Sequence, residues 1–308
     1  MKITTYQNIN NKSLKNLWKL VFNKSEKQSD YLINWLIEKD SGILLIAIDE
    51  SATVIGSRAS WNWEFSSYQK SYKCSQFGLT SVHPEYRRKG IFSRLNQECL
   101  KLLKLNNTDF VFNVSLPNAM RGYQKMGWEY EFNIQRLMRI SFNFMFSKRN
   151  KSFKISKELD IKLLFELFNK KNEINKKYLT SIQNINRLKS RFENKINYNV
   201  YQSEDIIILY KITKEKKMKS IFIGDIFSKL NDYNNLNYHI NSIQHSERAL
   251  FVSTYISKNH PLNEIYKNNN FKILKKKSPL GIKLINNNIS ISKLHDNLII
   301  SYLDLDTF

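Results

Sequence analysis

Residues 74–105 restrict the fold more than any other part of this 308-residue chain. CSQFGLTSV (74–82) is an apolar run with the character of a strand. The run beginning at Ile91 places Ile91, Leu95, Cys99 and Leu102 or Leu103 on one helical face. Between them stands HPEYRRKG. A strand passing into a helix through such a turn marks an α/β arrangement, and it leaves the first N–H groups of the helix unpaired at the positive end of the helix dipole. Arg87, Arg88 and Lys89 add formal charge and Gly90 permits close backbone approach, so the junction suits a pyrophosphate better than a lone carboxylate. A basic helix start on a solvated surface is the alternative. Neither G-x-x-x-x-G-K-[ST] nor G-x-G-x-x-G occurs, which excludes a Walker loop and a dinucleotide fingerprint.

Periodicity supplies the elements around this junction. A short strand at 2–6 precedes a helix with Leu14, Leu17, Trp18, Val21 and Phe22 at helical spacing and Ser13 as its N-cap, and a second helix starts at Asp30. GILLIAID (42–49) and TVIGSRASWNWEF (53–65) read as neighbouring strands joined by a tight turn. After the helix ending near Leu105 come a strand at 109–115, a short helix in PNAMRGYQKMG with Pro117 near its start and Gly127 as its stop, and final strands within 128–146. The order β-α-α-β-β-β-α-β-α-β predicts an α/β domain with a mixed central sheet over 1–146. Polar, basic residues 147–157 read as a linker. A second α/β domain is expected over 158–308, with a helix at 159–169, strands at 198–202, 206–212 and 220–225, a helix near 231–243 and a strand at 249–256.

An internal repeat relates the halves. FVFNVSLPNAMRGYQKMGW (110–128) resembles LFVSTYISKNHPLNEIYKNNNF (250–271): each has an apolar strand, a Pro-started helix with a Tyr, and an aromatic five residues later. Tyr123 pairs with Tyr266 and Trp128 with Phe271. Asn270 falls where Gly127 sits, and Asn is the other residue that readily takes a left-handed backbone.

The 49 Lys+Arg against 27 Asp+Glu give a net charge of +22. The excess is spread evenly, with 22 basic and 12 acidic side chains in 1–150 and 27 and 15 in 151–308, and there is no basic arm. The chain is also rich in Lys, Asn and Ile, whose codons are A/T-rich. No nucleic-acid partner is therefore expected, although a nucleotide-bearing substrate would find the charge favourable. Cys74 and Cys99 are too few for a disulfide framework and lack metal-ligand spacing, so no metal and a reduced, cytoplasmic setting are expected. No signal-peptide core and no transmembrane segment can be read from the sequence.

Taken together, VHPEYRRKGI, the amphipathic helix, the strand and PNAMRGYQKMGW resemble the GNAT superfamily of acyl-CoA-dependent N-acyltransferases. The likeness follows element order over 1–146 and is most specific at 79–95 and 117–128. The resemblance implies a GNAT domain followed by a degenerate GNAT-like second domain that lacks the pyrophosphate segment and shapes the acceptor site. It implies acetyl-CoA as co-substrate, with Arg87, Arg88, Lys89, Gly90, Ile91, Phe92 and Ser93 at its pyrophosphate. Phe92 stands where the family carries a small residue. Leu79, Thr80, Ser81 and Val82 match the splayed strand that meets acetyl and pantetheine groups, Asn118 a cofactor contact, and Tyr123 the general acid that protonates the departing thiolate.

The base for the acceptor ammonium has several candidates: Glu64 on the strand bordering the cleft, the terminal carboxylate of Phe308 by analogy with tandem relatives, and His83 behind them. Trp61 and Trp63 are candidates for sugar stacking or for core packing. The ending ISYLDLDTF resembles that of two-unit GNAT-like proteins of surface-polysaccharide clusters, which makes Asp304 and Asp306 substrate candidates or a solvated acidic tail. The function implied is acetylation of a primary amine, with a nucleotide- or lipid-linked amino sugar of surface-glycan biosynthesis as the expected acceptor. The alternatives are aminoacyl transfer from tRNA and a non-catalytic binding protein. A homodimer is compatible with all three.

Overall fold

The computed structural model describes residues 1–37, 42–68, 70–115, 117–141, 154–156, 159–183, 185–192, 198–204, 206–215, 218–275 and 278–305. In chain order the first elements are β1 (Lys2–Thr5), α1 (Asn11–Phe22), α2 (Glu26–Ile37), β2 (Gly42–Ile48), β3 (Val54–Ser67) and β4 (Lys70–Val82). There follow α3 (Ile91–Leu105), β5 (Phe110–Val114), α4 (Pro117–Lys125), β6 (Glu129–Ile140), β7 (Lys154–Ser156), α5 (Ile161–Ile174), β8 (Thr180–Ile182) and α6 (Ile185–Phe192). The rest are β9 (Asn199–Gln202), β10 (Ile206–Glu215), β11 (Met218–Ser228), α7 (Leu236–Glu247), β12 (Phe251–Ser257), α8 (Leu262–Asn268), β13 (Lys272–Ile273), β14 (Ser278–Leu284) and α9 (Ile291–Asn297). No described helix is long and apolar enough to cross a membrane.

Two compact units emerge, and each is discontinuous in sequence. Unit 1 comprises Met1–Phe65, Ser71–Tyr130 and Leu280–Ile291; unit 2 comprises Ser66–Lys70, Glu131–Pro279 and Ser292–Phe308. The sequence puts a single division at 147–157, a stretch lying mostly outside the described residues. The contacts divide the chain at Tyr130 instead, because β6 belongs with unit 2 and β14 is carried back to unit 1.

Unit 1 has the strand order β1-β2-β3-β4-β5-β14. Leu280–Leu284 runs antiparallel to β5, from Leu280 opposite Val114 to Leu284 opposite Phe110. Local chemistry sets several boundaries. α1 begins two residues before Ser13, whose hydroxyl accepts instead from the Val54 N–H at 2.8 Å. α2 begins at Glu26 because Ser25 and Gln28 exchange reciprocal side-chain-to-backbone hydrogen bonds, a capping box. The β2–β3 turn is fixed by the Asp49 carboxylate, which accepts from the N–H groups of Ser51 and Thr53. On one face of the sheet, Leu45, Ile55, Phe77, Val111 and the α3 residues Ile91, Leu95, Cys99 and Leu103 form a core that includes Tyr123 and Trp128. Cys74 and Cys99 are both buried free thiols, and burial pushes Cys99 up to about 11.

Unit 2 repeats the plan in the order β6-β12-β11-β10-β9-β7. Its parallel pair is β11 and β12, matched over Ser220–Ile223 and Phe251–Thr254, as β4 and β5 are matched over Cys74–Gln76 and Phe110–Phe112. Both cores rest on apolar burial worth roughly 25 cal/mol per Å².

Candidate active site

The loop from β4 into α3 alternates backbone hands. Arg88 (φ 64°) and Gly90 (φ 76°) are left-handed on either side of Lys89, a pattern that turns successive N–H groups to one side as an anion nest. α3 then begins at Ile91, and its first intrahelical bond runs from Arg94 N to Gly90 O. That leaves the N–H groups of Ile91, Phe92 and Ser93 beyond the helix ladder, at the positive end of a 15-residue helix. A Cβ built at Gly90 meets nothing within 4 Å, so the approach is open. Arg87, Arg88 and Lys89 are exposed around it. Tyr86 fastens the loop by donating to Asp49 (3.1 Å), while Lys89 Nζ sits 4.9 Å from the Tyr86 ring. Hydrogen bonds, chiefly from the Thr53 N–H, hold the Asp49 carboxyl below its ordinary range, so the tether is ionised at neutral pH. Beside the loop lies a cavity of about 420 Å³ lined by Asp49, Ile55, Tyr86, Lys89, Ile91 and Arg94. The cradle fits a pyrophosphate such as that of CoA.

Upstream, β4 leaves β5. Parallel pairing stops at Gln76 opposite Phe112, and Leu79 takes a left-handed φ of 46°, which bends the strand. The Leu79 carbonyl accepts from Ser57 Oγ (3.0 Å); Ser57 is held in turn by Trp18 Nε1 (2.8 Å) and Ser81 Oγ (2.7 Å). Gly78, Leu79 and Thr80 are half-buried where the strands part. Tyr123 reaches this point from α4, 2% exposed, with its hydroxyl 3.4 Å from Thr80 Oγ1. Phe92 packs beneath it, ring to ring at 5.2 Å, and a Cβ at Gly122 would come within 2.9 Å of the Phe92 ring. The bulky residue at 92 is thus turned into the α3–α4 interface, where Gly122 makes room for it and Tyr123 is braced by it. Asn118 lies exposed at the start of α4.

The remaining sequence candidates are dispersed. Trp61 (1% exposed) and Trp63 (3%) are core residues packed on Trp35 and Phe112, so neither offers a face to a sugar. Glu64 is exposed on β3. It lies six residues beyond Arg58, the neighbour of Thr80, which at ~3.3 Å per residue is about 20 Å along the strand. That separation puts its carboxylate beyond reach of the Tyr123 hydroxyl. His83 is half-buried against the Tyr86 ring at 5.7 Å. Asp306 and Phe308 lie outside the described residues. Asp304 is buried in unit 2: its carboxylate accepts from Ser181 Oγ (2.5 Å), Ser301 N (2.7 Å) and Ser301 Oγ (3.0 Å). It is not part of a solvated acidic tail.

Sequence reasoning passes over Arg58, which is fully buried on β3. Its Nη1 donates to Thr80 Oγ1, and its guanidinium lies 3.7 Å from the Phe77 ring centroid and 5.5 Å from that of Tyr123. The available signal was a lone charge in VIGSRASW, a strand otherwise apolar or small.

The repeat recurs in unit 2, but the opening does not. Trp128 N donates to Tyr123 O (3.2 Å) around Gly127 (φ 75°), and Phe271 N donates to Tyr266 O (3.1 Å) around Asn270 (φ 66°). The paired rings are 4.8 Å and 5.0 Å apart. Where β11 and β12 part, however, the chain's own segment at 300–304 enters. Ile300 O accepts from Ser257 N, Ser301 bridges Ile256, and the Tyr302 ring lies 5.1 Å from Tyr255 on β12 and 5.9 Å from Phe222 on β11. Leu303 is buried in the unit 2 core.

Residues 3–131 match the family described as the acetyltransferase (GNAT) domain. Among solved structures, the GCN5-related N-acetyltransferase from Anabaena variabilis ATCC 29413 superposes with a TM-score of 0.66 at 14% identity, covering 92% of this chain and 73% of that one. The fold is GNAT. The GCN5-related N-acetyltransferase from Kribbella flavida gives 0.65 at 13% identity, with 92% and 72% covered. A structure from Pyrococcus horikoshii described as that of a putative acetyltransferase gives 0.61 at 14%, with 98% and 92% covered, so the likeness in fold runs through both units. No curated protein sequence matches significantly.

Proposed function

We propose that unit 1 is an acetyl-CoA-dependent N-acetyltransferase acting on a primary amine, with an amino sugar of a surface-glycan pathway as the substrate class. The observation that carries this reading is the asymmetry between the units: the parting of β4 and β5 is joined to a basic nest at the start of α3, whereas the parting of β11 and β12 is filled by the chain itself. CoA would supply an activated thioester. Arg87, Arg88, Lys89 and the N–H groups of residues 91–93 would hold its pyrophosphate, with Asn118 at the rim. The backbone of Leu79–Val82 would orient the acyl group, and Tyr123 would donate a proton as the amine displaces the thiolate.

The test is calorimetry with acetyl-CoA, followed by thiol release in the presence of amino sugars. Tyr123→Phe is expected to lower kcat by roughly 10²-fold or more, the usual worth of a positioned acid, and to leave acetyl-CoA affinity within about twofold. Equal turnover in the two proteins removes Tyr123 from the mechanism. Salt-dependent tRNA binding without acetyl-CoA binding would select the aminoacyl-transfer alternative.

A further inference from the structure

Arg58 combines three properties that rarely coincide. It is fully buried, it forms no ion pair among the described residues, and its Nε and Nη2 have no hydrogen-bond partner there. Unsatisfied buried groups of this kind demand an explanation, because desolvating a guanidinium is costly and a neutral side chain of similar volume would pack in its place. Beyond the cation–π contact with Phe77, Nη1 alone is hydrogen-bonded among the described residues, and it donates to the hydroxyl that neighbours the Tyr123 oxygen.

We propose that Arg58 is a positioning residue for proton delivery by Tyr123, an inference that rests on the acyltransferase reading of the site. A guanidinium has donors and no acceptor, so Thr80 Oγ1 must accept from Arg58 and keeps its one proton to offer elsewhere. The neighbour at 3.4 Å is Tyr123 Oη. In the proposed arrangement Thr80 gives that proton to the phenol oxygen, which leaves the Tyr123 O–H to point toward the place where β4 and β5 part. By occupying one lone pair of Thr80 Oγ1, Arg58 favours that direction of the two-hydroxyl relay.

The charge matters as much as the direction. When the amine displaces the thiolate, the Tyr123 O–H bond breaks, an S–H bond forms, and negative charge passes from sulfur to Oη. With ordinary acidities of about 10 for a phenol and 8.5 for a thiol, that transfer runs against a gradient of about 30-fold in water. A cation centred 5.5 Å from the Tyr123 ring, and joined to its oxygen through one hydroxyl, stabilises the phenolate that results. A carboxylate beside Arg58 would cancel the effect, and none among the described residues pairs with it.

The experiment compares wild type, Arg58→Met, Arg58→Lys and Thr80→Val in wild-type and Tyr123→Phe backgrounds. Thiol release is measured at saturating amine, and CoA binding is measured by calorimetry. Arg58→Met is expected to lower kcat about 30-fold with KM for acetyl-CoA within about twofold, and Arg58→Lys to recover most of the loss. Neither Arg58→Met nor Thr80→Val should lower turnover further once Tyr123 is Phe, because all three act on one proton. CoA should bind wild type and Arg58→Met with affinities within about twofold, which also shows that the variant is folded. An unchanged kcat in Arg58→Met, or an equal loss in the Tyr123→Phe background, overturns the role of Arg58 and leaves the acyltransferase reading standing. Failure of the wild-type protein to bind CoA overturns that reading, and this proposal with it.

Discussion

Replacing Asp304 by Ala should unfasten the segment that fills unit 2. The carboxylate is 6% exposed and receives three hydrogen bonds, from the Ser181 hydroxyl and from the N–H and hydroxyl of Ser301. Bonds to a charged acceptor contribute about 1.5–3 kcal/mol each. The two hydroxyls can turn to other partners once the acceptor is gone, whereas the Ser301 N–H cannot. Losing the carboxylate also relieves its desolvation, which offsets part of the cost. A net destabilisation of about 3 kcal/mol follows. Unit 2 has about 170 residues and an unfolding entropy of about 2.1 cal/mol/K per residue, so its Tm should fall by about 8 °C. Calorimetry reads the shift, and hydrogen exchange at Ser301 should lose protection in parallel. A Tm within about 2 °C of wild type, accompanied by a raised KM for the amine, would refute the anchoring account and return Asp304 to substrate binding.

Two further outcomes test the packing and the pH response. In unit 1 a Cβ at Gly281 would come within 2.5–2.8 Å of the Tyr130 ring, whose hydroxyl is bound to Ser115 at 2.7 Å; Gly281→Ala should cost about 1–3 kcal/mol in urea unfolding, and an unchanged midpoint would show that Tyr130 moves freely. Burial, with a smaller contribution from the charge of Lys171, holds the His260 imidazole well below its ordinary range, so the folded state stays neutral while the unfolded chain takes up a proton as pH falls below about 6.5. Stability is therefore lost on acidification, about 2 kcal/mol between pH 6.5 and 5 from this group. His260→Asn keeps an acceptor for the Leu262 N–H and should flatten that part of the profile; equal losses in both proteins would contradict the assignment.

Features that depended on neighbours in sequence could be read before the structure was known. The α3 face, the Tyr123–Gly127–Trp128 stop and its echo at Tyr266–Asn270–Phe271 are all encoded within a few turns of chain. So is the placement of Trp61 and Trp63 opposite Asn62 and Glu64 by strand alternation, although alternation alone does not say whether the apolar face meets a ligand or a core. What escaped depends on distant partners. Asp304 looks like a surface acid until Ser181, 123 residues away, is found beside it. Phe92 looks like a defect until Gly122 is seen to receive its ring. Arg58 has meaning only through Thr80 and Tyr123. β14 has the pattern of a strand, yet no local pattern names β5 as its partner.

The return of β14 to unit 1 has a consequence during synthesis. Until residues 280–284 have been made, β5 has no neighbour on that side, and its open N–H and C=O groups are a template for pairing with another nascent chain. Ribosomes add roughly 5–20 residues per second, so the interval between Tyr130 and Leu284 lasts about 8–30 s. Through that window the half that carries the nest and Tyr123 is a sheet with one edge unfinished, and expression of residues 1–146 alone would make the condition permanent. Unit 1 reaches its final form only after most of unit 2 has been translated.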